Sequence, residues 1–309
     1  MLRYADDCAA PDEVESFATA PRRKLSILVT SFNYRSYANW EPLFHRLRCQ
    51  GHAVRTAFFP RVSDPDHTRL LEIEFDNVVL SPIGPDFRTC GRSEKKVLSD
   101  LAGWIESAKP DLVWMCTCHG GPEGSLHRHL SRLPDRPLTI GLQHGMAHDW
   151  PLFESWTDRF DVFGTFGQHF LDGCSDGFQH RMVVMGLPKL DDFSGPWRAG
   201  PIRRILFAGQ SEPPIETLEP LLCELASDIG AEIVVRPHPE HRGACCELYE
   251  SFAVNWPDDP LAHVLATFDA LITTGSTIAL EGLAAGLRVA VLPWSTATST
   301  ARPASLRAA

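Results

Sequence analysis

FDALITTGSTIALEGLAAG, residues 268–286, changes its period halfway along. Ala270 to Thr273 is a short apolar run of strand type. From Ile278, Ala279 and Leu280 the pattern is helical. Gly275, Ser276 and Thr277 stand between them. A buried strand turning through small residues into a helix is the repeating unit of a parallel α/β sheet. The same alternation extends upstream. RRILFAG reads as a strand, ETLEPLLCELASDI as a helix, AEIVVRP as a strand, and LRVAVLP closes the series.

A Gly- and Pro-rich break, DDFSGPWRAGPIR at 191–203, precedes this block and marks a domain boundary. Before the break, strands are expected at about 24–30, 53–59, 77–80, 111–116, 138–142, 161–166 and 182–185. EPLFHRLRCQGHAV between the first two suits a helix ended by Gly51. Val97, Leu98, Leu101, Trp104, Ile105 and Ala108 form the stripe of an amphipathic helix. TSFNYRSYANW (30–40) and GGPEGSLHRHL read as loops after strands, with Asn33 and Tyr34 in the first and His127 and His129 on the surface of the second. The expected organisation is an acidic tail (1–22), an acceptor domain (23–190), a linker (191–203), a donor domain (204–294) and an irregular tail (295–309). The whole is two Rossmann-like α/β domains facing a cleft.

The chain has 309 residues, 44% of them apolar, and a formal net charge of −10. That balance argues against a non-specific nucleic-acid binder, which needs a basic field. No apolar run reaches the roughly 18 residues of a membrane span. The acidic N-terminal stretch has no signal-peptide pattern, so a cytoplasmic location is expected. Nine cysteines without a CxxC pair suggest reduced thiols. Cys116, Cys118 and His119 do not have the spacing of a standard zinc site, and His144 and His148 lack the HExxH pattern.

Two stretches of the second domain point to an anion. Gly275, Ser276 and Thr277 open a helix, where unsatisfied N–H groups and the dipole favour negative charge. Glu281, about one turn in, is placed for a sugar hydroxyl. In IVVRPHPEH (233–241), Arg236 and His238 each precede a proline, which keeps the backbone extended. Ligands of open α/β sheets bind beyond the carboxyl ends of strands, and an Arg fork beside an imidazole suits a phosphate there. The ordinary structural alternatives are a helix cap and a loop histidine. In the first domain, GLQHGMAHD (141–149) places His144 at a strand end beside Gly145, where a neutral imidazole can take a proton from a hydroxyl.

The order QHG, GLPKLDDF (186–193), ILFAGQ, RPHPE and TTGSTIALEGLAAGLRVAVLP resembles the GT-B nucleotide-sugar glycosyltransferases. Within that group it resembles CDP-glycerol glycerophosphotransferases and capsule polysaccharide transferases. Non-hydrolysing UDP-N-acetylglucosamine 2-epimerases share the architecture. The resemblance covers about residues 24–294, in patches. It implies that His144 is the catalytic base. It also implies that His238, Ser276 and Thr277 hold the donor phosphates with Glu281 near the donor, and that Lys189 and Asp191 lie near the hinge. The implied donor is a nucleotide-sugar or CDP-alcohol and the implied acceptor a polysaccharide or lipid-linked hydroxyl, with peripheral membrane contact in the latter case. No cofactor or essential metal is expected. Thr273-Thr274-Gly275-Ser276 departs from the Asp-Tyr-Ser-Ser of many relatives. LPWSTATSTARPASLRAA lacks the returning helices of the family, so the second domain reads as shortened at its C-terminus. The expected activity is transfer of a glycosyl or glycerophosphate group in cell-surface polysaccharide synthesis. The alternatives are a UDP-sugar 2-epimerase and a non-catalytic nucleotide-binding protein.

Overall fold

The computed structural model describes residues 23–31, 34–58, 77–79, 99, 101–103, 105–116, 121–145, 150–193, 195–209, 215–238, 251–255 and 260–292. Both expected tails, Asn33, Cys118, His119, His148, Val97, Leu98, Trp104 and most of 59–98 lie outside these residues.

The described strands form two sheets. In the first, β1 (Ser26–Ser31), β2 (Ala53–Phe58), β3 (Asn77–Val79), β4 (Leu112–Met115), β5 (Leu138–Leu142), β6 (Val162–Thr165) and β7 (Met182–Val184) lie in the order β3-β2-β1-β4-β5-β6-β7. In the second, β8 (Arg204–Ala208), β9 (Glu232–Arg236), β10 (Ala253–Val254), β11 (Ala270–Thr273) and β12 (Arg288–Val291) lie in the order β10-β9-β8-β11-β12. Every neighbouring pair is parallel. Each sheet grows outward from its first strand on one side, then crosses over and grows on the other. The first strand of each sheet therefore marks its topological switch point, the position open α/β sheets commonly use for ligands.

Parallel strands are covered on both faces and so are apolar throughout. Leu28, Val29, Val113, Leu142 and Phe163 are fully buried in one core with Phe44 of α2 (Glu41–Cys49). In the second sheet, alternation divides the strand residues between two cores. Ile205, Phe207, Ile233 and Val235 pack with Leu218 and Leu222 of one helix. Leu206, Ala208, Val234 and Leu271 pack with Val264, Leu265 and Ile278 of others. Helix α2 ends as its sequence foretells. Gly51 has φ +83°, its N–H reaches Arg48 O at 2.7 Å, and His52 N reaches Leu47 O at 3.1 Å, a Schellman closure. Strand β7 is an edge, only three residues long, with Val183 and Val184 exposed.

Register is set by one device used three times. Asp111, Asp161 and Asp269 each stand one residue before a strand and accept main-chain N–H groups at the start of the neighbouring strand. Asp111 Oδ2 accepts Ser26 N at 2.8 Å, and Asp161 Oδ2 accepts Thr139 N at 2.8 Å. Asp269 Oδ2 accepts Arg203 N and Arg204 N, each at 2.9 Å. Arg23 and Arg136 form ion pairs with Asp111 and Asp161, each at 2.5 Å. The ends of the sheets at which the strands begin are thus pinned.

Two expectations about loops are corrected. The stretch after β1 contains helix α1 (Tyr34–Ala38), and Tyr37 and Trp40 are fully buried. Their spacing of three turns both rings into the core, so the polar appearance of this stretch is misleading. The glycine-rich stretch after β4 is helix α3 (Gly121–Leu130). Glu123, Leu126 and Leu130 form its buried stripe, although its first turn carries helix-weakening glycines. His127 is therefore helical, half-buried against Phe160 with ring centroids 5.2 Å apart, and burial pushes its pKa down. A further helix, α4 (Trp150–Thr157), was not foreseen, nor were the short helices at 168–172, 176–179 and 261–265 or the strand β10. Helices α5 (Gln168–Asp172) and α6 (Asp176–Gln179) follow β6, and α7 (Ile215–Ile229), α8 (Leu261–Leu265) and α9 (Ile278–Ala284) cover the second sheet.

Candidate functional site

The carboxyl ends of β8, β9 and β11 meet at the switch point of the second sheet. Gly209, just after β8, donates its N–H to Arg236 O at 2.9 Å. A side chain at Gly209 would touch the end of β9, its Cβ lying 3.6 Å from Arg236 O and 3.8 Å from His238 N. On the other side, Thr273 Oγ1 donates to Ala208 O at 3.1 Å. The segments carrying Arg236 and His238 and those carrying Gly275 to Thr277 therefore emerge from β9 and β11, the two strands that flank β8, at the same end of the sheet.

Gly275 has φ +113°, a conformation that side-chain-bearing residues rarely adopt. It turns the chain sharply out of β11. Ser276 Oγ accepts Ile278 N at 3.4 Å, while Thr277 at the helix N-cap makes no side-chain capping bond. Among the described residues the Thr274 hydroxyl is buried with no hydrogen-bond partner. Arg236 is half-buried, and its Nη1 donates to Asn255 Oδ1 just beyond β10. Asn255 thus holds the guanidinium at the strand end. His238, also half-buried, follows buried Pro237. The edge offers a guanidinium, an imidazole and hydroxyls, a set matched to an anion.

In the first sheet, Gln143 and His144 follow β5. Gln143 is fully buried and its polar groups are engaged throughout. Its N–H donates to Gly164 O at 2.9 Å, and its side-chain Nε2 donates to Gly145 O at 2.8 Å. Its Oε1 accepts Phe166 N at 2.9 Å and its main-chain O accepts Trp40 Nε1 at 3.1 Å. Asn39 Nδ2 donates to His144 O at 3.3 Å. His144 therefore sits, half-buried, in a loop whose main chain is fixed from both sides. The sequence pointed to His144 and missed Gln143, Asn39 and Trp40. A buried amide between an apolar strand and a His-Gly pair was the available signal. Nearby, Glu123 at the start of α3 is fully buried, accepting Thr30 Oγ1 at 2.5 Å.

Between the sheets runs a 3-10 turn, Pro188–Asp192. Lys189 N donates to Asn39 O at 3.2 Å, and the Lys189 ammonium forms an ion pair with Glu281 Oε1. Glu281 is buried in α9, so its carboxylate is engaged by the turn, on the helix that follows Gly275–Thr277. Asp191 is exposed, 4.0 Å from Arg46 Nη2. Leu190 packs against the core of the first sheet and against one core of the second. Among the described residues no group of three or more His, Cys, Asp or Glu is placed to hold a metal, and no helix is long and apolar enough to cross a membrane.

No protein-family model matches the chain, and no curated protein matches it in sequence. Solved structures do. The UDP-GlcNAc 2-epimerase of Neisseria meningitidis, bound to UDP-GlcNAc, is similar over 86% of this chain and 82% of its own, at 15% identity and a TM-score of 0.58. The UDP-GlcNAc 2-epimerase of Methanocaldococcus jannaschii is similar over 86% and 83%, at 12% identity and 0.57. MurG of Acinetobacter baumannii is similar over 89% and 80%, at 14% identity and 0.55. At such identities the likeness concerns the fold: this chain has the two-domain, Rossmann-like α/β architecture of these proteins.

Proposed function

We propose that the protein is a GT-B-type transferase that moves a glycosyl or glycerophosphate group from a nucleotide-activated donor to a hydroxyl acceptor. The observation that carries this reading is the convergence of Arg236, His238 and the Gly275–Thr277 turn at the switch point of the second sheet. In this reading the donor phosphates lie there, with Arg236 and His238 meeting their charge and the hydroxyls of Ser276 and Thr277 completing the cradle. Glu281 stands near the donor, on α9. His144 takes the proton of the acceptor hydroxyl. The hydroxyl oxygen bonds to the transferred carbon or phosphorus, and the bond to the nucleotide breaks with its electron pair on the leaving phosphate. Preorganised donors at that phosphate lower the barrier by stabilising the developing charge. No essential metal has a part in this scheme, so turnover should survive a chelator. The acceptor is proposed to be a polysaccharide or lipid-linked hydroxyl, and the setting cytoplasmic.

A panel of CDP-, CMP-, UDP- and GDP-compounds in thermal unfolding tests the reading. A ligand at 100 times its Kd stabilises by about 2.7 kcal/mol. One class should raise the Tm, and Arg236→Ala and His238→Ala should abolish that rise. His144→Ala should keep the rise and lose turnover. A flat panel overturns the proposal.

A second reading, a UDP-sugar 2-epimerase, is favoured by the epimerases among the similar structures, including the two named above. An epimerase converts the donor with no acceptor present, whereas a transferase needs both. If nucleotide binds and His144→Ala leaves the biological role intact, the protein is a non-catalytic nucleotide binder.

A further inference from the structure

We infer that Lys189 is a positioning residue that couples the His144 loop to the Gly275–Thr277 turn across the two sheets. The inference deepens the function proposed above and rests on it for its catalytic consequence, though not for its structural part.

The connection is short and continuous. His144 O accepts Asn39 Nδ2 at 3.3 Å, Asn39 O accepts Lys189 N at 3.2 Å, and the Lys189 ammonium pairs with Glu281 Oε1. Glu281 belongs to α9, whose first residue follows Thr277. One residue thus holds one end of the chain through its main chain and the other through its side chain. The turn that carries Lys189 has little freedom to absorb a displacement. Pro188 fixes one φ, Leu187 and Phe193 are buried on either side, and Leu190 packs against a core of each sheet. Leu280, next to Glu281, also packs against the core of the first sheet.

The burial of the ion pair argues that it serves geometry. The Glu281 side chain is 5% exposed and that of Lys189 29%. Taking a carboxylate out of water costs about what a good ion pair returns, so such a pair is weak evidence for stability in itself. Its directional hold on a helix is a better reason for its place. An acceptor base on one domain and a donor cradle on the other react only at a fixed separation, and small misplacements cost rate steeply. Lys189 sets that separation.

Amide hydrogen exchange on the full chain without ligand tests the coupling. Lys189→Met removes the ammonium and leaves the main-chain bond to Asn39. It should raise exchange at 278–285 and also at 143–145, the second segment being remote from the lost charge, by on the order of tenfold. Lys189→Arg should restore protection at both, and Glu281→Gln should reproduce the loss. Faster exchange confined to 278–285, or at neither segment, overturns the inference. Where Lys189→Met is too unstable to measure, the same comparison with Glu281→Gln decides it. In turnover with a donor identified by the nucleotide panel, Lys189→Met should lower kcat and leave donor affinity within about twofold of wild type, and loss of affinity with kcat unchanged overturns the positioning role. Failure of the wild type to bind any nucleotide removes the proposed function and leaves the exchange result standing.

Discussion

Three aspartates before strands do at the N-terminal sheet edges what Arg236, His238 and Gln143 do at the others: each makes one strand end specific. Asp161 shows the cost of losing such a residue. Its carboxylate accepts Arg136 at 2.5 and 2.6 Å, Thr139 N at 2.8 Å and Thr139 Oγ1 at 2.9 Å. Arg136 first, then the Thr139 bonds, hold its pKa far below the ordinary carboxylate range. A carboxylate lowered on folding stabilises fully above its unfolded pKa of about 3.9 and loses that contribution as the pH falls toward the folded value. Asp161→Asn should therefore cost about 1 kcal/mol at neutral pH, after allowance for solvent screening. The cost should shrink in urea titrations repeated from about pH 5 down to pH 2. A cost independent of pH would refute the assignment. Legibility at this scale was uneven. Arg236 and His238 announced themselves by the prolines that follow them. Gln143 did not, because its partners at 40, 145, 164 and 166 become neighbours only when the sheet forms.

Among the elements, the strands that were read fell within a residue or two, since a strand buried on both faces must be an unbroken apolar run; β10, only two residues long, was missed. Helices α1, α3, α4, α5, α6 and α8 were missed, for two different reasons. Four of them, α1, α5, α6 and α8, are too short to show a period, and α3 and α4 begin in glycine or proline contexts that read as loop. What holds α9 against the linker was equally invisible. Gly195 N donates to Ala284 O at 3.2 Å and Arg198 N to Gly286 O at 3.0 Å. Gly286 has φ +79°, and a Cβ there would meet the carbonyl oxygen of Pro196, part of a backbone that cannot swing away. Gly286→Ala should cost more than about 1 kcal/mol in chemical denaturation. It should also expose 195–198 to limited proteolysis. A neutral substitution would show that the linker does not depend on this approach.

At the scale of the whole molecule, two sheets of the same handed order are joined by a turn that belongs to both. The Gly- and Pro-rich composition of 191–203 drew attention to the stretch between β7 and β8, but the ties between the two sheets were not visible. Leu190 and the Lys189–Glu281 pair join residues that the sequence gives no reason to associate. Leu190→Ala should destabilise by about 1–2 kcal/mol, below the usual range for a buried leucine because this one is only partly buried. It should also split or broaden a single calorimetric transition, as the cores come to melt separately. One sharp transition at a lower temperature would show that Leu190 contributes packing without joining the halves.

The exposed valines of β7 bear on how the protein keeps to itself in a crowded cell. An open sheet border with apolar side chains invites another chain to zip alongside and seed a deposit. Here the border is only three residues long, so an incoming strand would find too few rungs to grip. Lengthening that strand by mutation would turn a harmless margin into an adhesive one.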